Sequence, residues 1–537
     1  MSTEMKPSDF NLGFWAKLIG GVFKGIFFIF TMIFNGFQNG YGIPIILSAG
    51  VFVLLQYLAK INLPENWLAV IYPACGVLLG IVTFLCKRRN MRGRSAKTTL
   101  PIQSKSPCGV VFGKRGKMYV SKPEDLDGHV LVVGGVGSGK SSCIAIPTLR
   151  VWRDSVFAID IKGELYEKTK QYRPDIKVFN PTDENTFGYD PYFCLYSSGN
   201  PAQEARAIAQ SLIPLPLDTK DPFWIESAQN IFTASILHYS AQGLSFLETI
   251  QQIQSLAPKD LIASICDGSQ LEAQYFVGSM QDMDDRVLSS IIAELSKNIV
   301  YFVTDRNLIS ILSRQSNITP DDLEYGNDIY IQFPEHLLRQ WKSLLTLIVN
   351  QFLAYFEKRP EENERNILFL LDEFPRLGKV GAMLDGLATL RSKKVSICLI
   401  IQSLAQLDTI YGQNERKVIA DTCAYKAILG ANDADTQEYF SRLVGTYDKQ
   451  TTSHGTSSDI FGLPKGKTTN IYEQEKRIIK PHEFGMLEDI VLLTPFPMPF
   501  TPSSNTASNP FSAPPNQQQA IDVSFCRVQK VPYYLCE

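Results

Sequence analysis

The sequence predicts an α/β chain: a helix-covered, mostly parallel sheet, with an all-α insertion within it and a hairpin of two transmembrane helices ahead of it. Three observations carry this expectation. Short apolar runs of strand length alternate with helical patterns from residue 130 onward. One of these runs passes directly into a glycine-rich turn and then a helix pattern. The first ninety residues hold two long stretches without a charge.

The strands are read in order. Val130–Val133 is a buried strand, and Ser155–Ile161 is a second, closing at Asp160 and followed by Lys162, Gly163 and Glu164. Ile367–Leu371, Val395–Ile401 and Tyr425–Leu429 supply three more. About two hundred residues separate Asp160 from Ile367, far too many for one crossover connection. Within that interval ARAIAQSLI, WIESAQNIFTASILHY and DRVLSSIIAELSKNIV are helical patterns, which predicts an all-α domain. The chain then returns through a strand at 328–333 and a helix at about 336–357. The expected organisation is an N-terminal segment 1–42, a transmembrane hairpin 43–90, an α/β domain in two parts (91–199 and 319–537) that holds the glycine-rich turn, and the all-α domain 200–318. Two stretches, 448–470 and 494–519, are rich in Gly, Ser, Thr, Asn or Pro and are expected to be flexible loops.

Composition narrows the function classes. The 537 residues suggest about three or four folding units. Fifty-two basic against 54 acidic residues leave a net charge of −2, so the chain as a whole is no polycation built for nucleic acid, although a local basic surface would be hidden in that sum. Ten cysteines without a C-x-x-C pair, and five histidines without ligand spacing, argue against a disulfide framework or a zinc site. Cys143 and Cys398 fall in apolar segments and are expected as buried thiols in a reducing compartment.

Ile43–Ala59 and Trp67–Cys86 carry no charge over about 17 and about 20 residues, near the length that crosses a bilayer as a helix. The link between them, KINLPEN, is seven residues long and makes them a hairpin. Lys87, Arg88, Arg89, Arg92 and Arg94 follow at once, which places that end, and the bulk of the chain after it, on the cytoplasmic side. Leu18–Phe37 is apolar but broken by Lys24 and preceded by Lys17; it is a third span or an interfacial helix, and the interfacial placement leaves both termini inside. No small-residue cleavage site follows the apolar run, so no cleaved leader is expected.

The glycine-rich turn, HVLVVGGVGSGKS, fits G-x-x-x-x-G-K-[ST]. Glycines let the backbone aim several N–H groups at phosphate oxygens, and the helix that follows adds its positive end. The residues expected around the phosphates of ATP are Gly134, Gly135, Val136, Gly137, Ser138, Gly139, Lys140, Ser141 and Ser142. Lys140 would set a charge between the β- and γ-phosphates, and the Ser141 hydroxyl would ligate Mg²⁺. The partner strand is NILFLLDE: its apolar run carries Asp372 to the edge where open α/β sheets bind ligands. Asp372 would hold Mg²⁺ through water and Glu373 would act as general base.

Several segments together resemble the type IV secretion coupling proteins, the TraG/TraD-like conjugation ATPases. These are GHVLVVGGVGSGKSSCIAIPTL, AIDIKGELYEKT, DPFWIESAQNIF, LLDEFPRLGKV, IIQSLAQL and the terminal YYLCE, and the resemblance spans about residues 40–537. It implies a RecA-like hexameric ring motor anchored in the bacterial cytoplasmic membrane as a multi-pass protein. It further implies that the motor hands relaxase-bound single-stranded DNA, or secreted proteins, to a type IV secretion channel and its inner-membrane components. The match makes Gln402 a sensor of the γ-phosphate and Arg391 an arginine finger reaching a neighbour's site. Lys162 and Glu164 match the family's box with roles left open, as ordering residues for the neighbouring loop or as nucleotide contacts.

Two features depart from the pattern: the 494–519 excursion, and an external link of seven residues where many members carry a domain. A coupling ATPase for effector proteins uses the same motor, and only the lack of an appended C-terminal extension tilts the reading to DNA. A double-stranded DNA translocase is disfavoured by the FW-containing insertion, and a non-hydrolysing scaffold by intact Lys140, Ser141, Asp372 and Glu373.

Overall fold

A computed structural model of the chain describes residues 102–458, 464–495 and 525–535. The expected transmembrane hairpin, the 1–42 segment and most of the 494–519 stretch lie outside these residues. Among the described residues no helix is long and apolar enough to cross a membrane.

Fourteen strands are described: β1 Gln103–Ser104, β2 Val110–Arg115, β3 Met118–Lys122, β4 Val130–Val133, β5 Ser155–Ile159, β6 Ile176–Phe179, β7 Asp328–Ile331, β8 Ile367–Leu371, β9 Val395–Ile401, β10 Tyr425–Ile428, β11 Thr446–Ser458, β12 Pro464–Arg477, β13 Ile490–Leu493 and β14 Phe525–Val528. Nine of them form the central sheet in the order β14-β13-β10-β4-β9-β8-β5-β7-β6. From β10 to β6 every neighbouring pair is parallel. β13 runs antiparallel to β10, and β14 antiparallel to β13.

The central strands are continuous apolar runs because both faces of the sheet are covered. Leu131, Val133, Phe157, Ile159, Phe369 and Leu371 join a core shared with the long helix Leu338–Glu357 and the helical insertion. Their alternates Val130, Val132, Val156, Ala158, Leu368 and Leu370 join a second core, with Phe112 and Val120 of the small β1–β3 sheet and Ile144–Leu149 of the helix after the glycine turn. The period of two sends successive apolar residues of these strands alternately to one core and the other.

The helical insertion lies between β6 and β7 and runs through helices such as Pro201–Leu212, Phe223–Ala241 and Asp285–Ile299. Its two ends are tied together at the neck. Gly188 donates to the carbonyl of Ser316 (2.8 Å), Ile318 donates back to Gly188 (2.9 Å), and Arg314 donates to the carbonyl of Thr186. A Cβ on Gly188 would sit 2.6 Å from the Ile311 carbonyl, so only glycine allows so close a crossing.

One expectation is corrected. The 448–470 stretch is not an irregular loop: Thr446–Ser458 and Pro464–Arg477 pair antiparallel as a long two-stranded ribbon. Polar composition suggested a linker, but the segment is rich in threonine, whose β-branch favours the pleated strand, and its partner carries Ile471 and Tyr472. The small β1–β3 sheet and the two edge strands β6 and β14 were not singled out from the sequence. Ile-Lys-Val-Phe of β6 is buried fully only at Phe179, because an edge strand leaves part of its length to water.

Candidate nucleotide site

The glycine turn leaves β4 at the C-terminal edge of the sheet. Gly134 donates its N–H to the carbonyl of Ile401 at the end of β9 (3.1 Å), which starts the loop in register with the strand beside it. A Cβ on Gly134 would lie 2.3 Å from Ser138 Oγ, so a side chain there would displace the Ser138 hydroxyl from the loop. Gly137 and Gly139 have φ of +75° and +97°, a region that side chains avoid. Val136 stands at the tip, 86% exposed. Ser141–Ala145 then forms a single π-helical turn before Ile146–Val151 continues as α-helix. Pro147 explains the wide turn: it has no N–H to give to the preceding turn, and Ile146 donates instead to Ser141.

Lys140 folds back over the loop, Nζ donating to the carbonyls of Gly134 (2.6 Å) and Gly135 (3.0 Å). Burial holds its proton affinity below the usual lysine range, against the pull of Asp372 and Glu373. Strand register sets the end of β8 on the same rim as the loop. β8 pairs with β9 so that Leu371 faces Leu399, while β9 pairs with β4 so that Ile401 faces Val133. Asp372 and Glu373 therefore emerge on the same rim as Gly134. Burial, and then the neighbouring Glu373, push the Asp372 carboxyl up to about 6. Glu373 adopts left-handed backbone (φ +51°, ψ +41°), uncommon for a residue with a side chain, and its N–H donates to Asp372 Oδ1 (3.0 Å).

The Glu373 carboxylate is bracketed by two cations. Lys162 Nζ lies 3.2 Å from Oε1 and Arg376 Nε 2.6 Å from Oε2, and Arg376 pairs in turn with Glu335 (2.7 Å). Lys162 is thus brought to the acid edge. Asp160 instead accepts from the Tyr166 N–H (2.8 Å) and ties down the start of the helix Glu164–Thr169. Gln402 follows β9 directly beside Gly134, its N–H donating to Gln406 Oε1 (3.2 Å). Arg391 is not brought to this rim. It is exposed in the turn Leu390–Lys393 that precedes β9, at the opposite edge of the sheet.

Arg376 and Glu335 escape a reading of the sequence, although Arg376 stands three positions after Glu373, close enough to answer its charge. The far wall of the site escapes it as well. A cavity of ≈ 530 Å³ opens on the loop and is closed by Gly485–Leu487 together with Lys530, Pro532 and Tyr534. Of the terminal Tyr-Tyr, it is the second ring that lines this wall, and no local pattern shows it.

The residues fit a nucleoside triphosphate with a hard dication. The Ser138 hydroxyl is buried in the loop without a partner among the described residues. The glycines leave a cradle that a Cβ would fill. Ser141 and Asp372 offer hydroxyl and carboxylate oxygen, the donor set that suits Mg²⁺, and burial has left the Asp372 carboxylate in want of positive charge.

Comparison with known proteins agrees with this geometry. Residues 87–497 match the model of the family described as type IV secretory system conjugative DNA transfer. VirD4 of Rhizobium rhizogenes is 26% identical over 465 residues, covering 83% of this chain and 66% of that protein. VirD4 of Agrobacterium fabrum is 27% identical over 388 residues, covering 69% of this chain and 57% of its own length. The chain therefore spans under two thirds of the length of these curated relatives. Among solved structures, the plasmid coupling protein TrwB in complex with the GTP analogue GDPNP superimposes with a TM-score of 0.59 at 18% identity, covering 81% of this chain and 92% of that one. Its complex with an ATP analogue gives 0.57 at 19%, covering 74% and 88%. At these identities the structures speak for the fold, a P-loop NTPase with a mixed, largely parallel sheet. With a family model matched along most of its length and that fold beneath it, the chain belongs to the type IV secretory system conjugative DNA transfer family.

Proposed function

We propose that this chain is a membrane-anchored ATPase that couples relaxase-bound single-stranded DNA to a type IV secretion channel and drives its transfer by ATP hydrolysis. The observation that carries the reading is the convergence of Lys140, Asp372 and Glu373 on one rim, set by strand register, behind a loop whose positive-φ positions Gly137 and Gly139 favour glycine. The loop N–H groups and Lys140 bind and orient the phosphates. Ser141 and Asp372 would hold Mg²⁺, which when bound offsets charge on the β- and γ-phosphates. Glu373 takes the proton of the attacking water, and Gln402, one strand from the loop, senses the γ-phosphate.

Arg391 supports a ring. In its own chain it stands across the sheet from the loop, so a role as finger requires a neighbouring copy, and a homohexamer supplies one. Solved structures of TrwB hold GTP and ATP analogues, and ADP with Mg²⁺, which favours the same ligands here. The membrane anchor rests on the apolar stretches Ile43–Ala59 and Trp67–Cys86.

The test is steady-state ATP hydrolysis by the full chain in lipid nanodiscs, with and without single-stranded DNA. Hydrolysis is expected to rise with DNA and to vanish in Lys140→Ala. Arg391→Ala and Glu373→Gln, each inactive, are expected to recover part of the activity when mixed, because one supplies the base and the other the finger. Hydrolysis indifferent to DNA would replace the cargo with secreted protein, and hydrolysis retained by Lys140→Ala would overturn the reading.

A further inference from the structure

The cavity beside the glycine loop has a second wall that the phosphate chemistry does not use. Gly135–Gly139 line one side, and Met486, Pro532 and Tyr534 stand on the other. Met486 is 82% and Tyr534 65% exposed, large apolar groups at the mouth of a cavity rather than in a core. The wall is built firmly. Lys530 Nζ donates to the carbonyls of Leu429 (3.0 Å) and Leu487 (2.9 Å), stitching the terminal segment to both neighbouring loops. Tyr533 is anchored the other way: Arg150 lies over its ring (4.7 Å) and donates to its carbonyl (3.2 Å). With Tyr533 held there, Tyr534 is left at the cavity.

We propose that Tyr534 and Met486 form the nucleobase subsite, taking the flat face of a purine whose phosphates lie in the glycine loop. This rests on the ATPase reading and adds to it a determinant of nucleotide choice. A base bound by an aromatic face and a thioether is recognised by area and polarisability rather than by its edge. The cationic group of the wall, Lys530, is already committed to two carbonyls. Purines therefore bind better than pyrimidines, and Asn432, which also lines the cavity, is the amide there that can meet a base edge.

The test is calorimetric affinity of the full chain in nanodiscs for non-hydrolysable ATP, GTP and CTP analogues and for ribose 5′-triphosphate, which lacks a base. Tyr534→Ala is expected to weaken the purine analogues about tenfold, the scale of one base–aromatic stack, and to leave ribose 5′-triphosphate unchanged. Tyr534→Phe, which keeps the ring, is expected to recover most of the loss. Leu535→Ala, in the same segment but off the cavity lining, is expected to match the wild type. Equal purine affinity in Tyr534→Ala and the wild type would overturn the proposal, as would an equal loss for ribose 5′-triphosphate. No binding of any triphosphate by the wild type would instead bring down the ATPase reading itself.

Discussion

At the C-terminal ends of β4, β8 and β9 the polar side chains face a loop and a cavity, whereas at the N-terminal ends of the same sheet they are closed in by the chain. Both rims shift proton affinities. Above, burial raises Asp372 to about 6. Below, burial lowers Lys122 to about 8 and His129 to about 4. The size of the shift does not distinguish a site from a core. What distinguishes them is where the partners lie. Fully buried Lys122 donates to Ser396 Oγ (3.0 Å), and His129 Nδ1 accepts from the Ile397 N–H (3.0 Å). Arg173 binds Asp328 through two nitrogens and donates to the carbonyls of Leu149, Trp152 and Asp154. The lower rim uses charge to join strands; the upper rim also ties strand ends through Lys162, Glu373, Arg376 and Glu335, but sets the Asp372 carboxylate and Lys140 beside the glycine loop, where a ligand can answer them.

Removing Arg173 should give the largest loss of stability. Arg173 and Asp328 are 7% and 3% exposed, and cutting one partner leaves the other charge buried. Arg173→Ala should cost about 3–5 kcal/mol, read as a fall in the urea midpoint. A midpoint within error of the wild type would mean that the lower rim is more open to water than its hydrogen bonds imply.

The same contrast shows what sequence could tell. β4, β8 and β9 appear at the expected residues because both cores demand unbroken apolar runs, and the glycine turn is legible because its chemistry is local. The Lys162–Glu373–Arg376–Glu335 chain is not legible: it joins the ends of β5, β7 and β8, which neighbour one another only once the sheet is ordered. Tyr534 meets the loop across nearly four hundred residues of chain. The ribbon at 446–477 was hidden for a different reason, since polar threonine-rich segments have the composition of linkers and the pairing of strands.

Lys122 sharpens the comparison through pH. Its folded-state value near 8 lies below the unfolded value near 10.5, so between these the unfolded chain binds the extra proton and stability rises with pH. Other groups titrate there too, so the quantity to measure is the difference between the wild type and Lys122→Met. That difference should move in the wild type's favour by about 3 kcal/mol from pH 8 to 10.5. A pH-independent difference would mean that Lys122 is solvated in the folded state.

Asp372 tests the upper rim by the opposite sign. A carboxyl raised to about 6 in the fold, from an ordinary value near 3.8, takes up a proton that the unfolded chain releases. Its ionised form costs the fold nothing below pH 4 and the full penalty above pH 6. Asp372→Asn removes that penalty, so at pH 7 without Mg²⁺ or nucleotide the variant should be more stable than the wild type by about 3 kcal/mol. At pH 4 the two should unfold alike. Hydrolysis should be lost in the same variant, because the site needs the charge that the fold would rather not hold. A substitution that weakened both stability and turnover would place Asp372 with Arg173, among groups the chain uses to hold itself together, and the distinction between the rims would fail at the carboxylate meant for the metal.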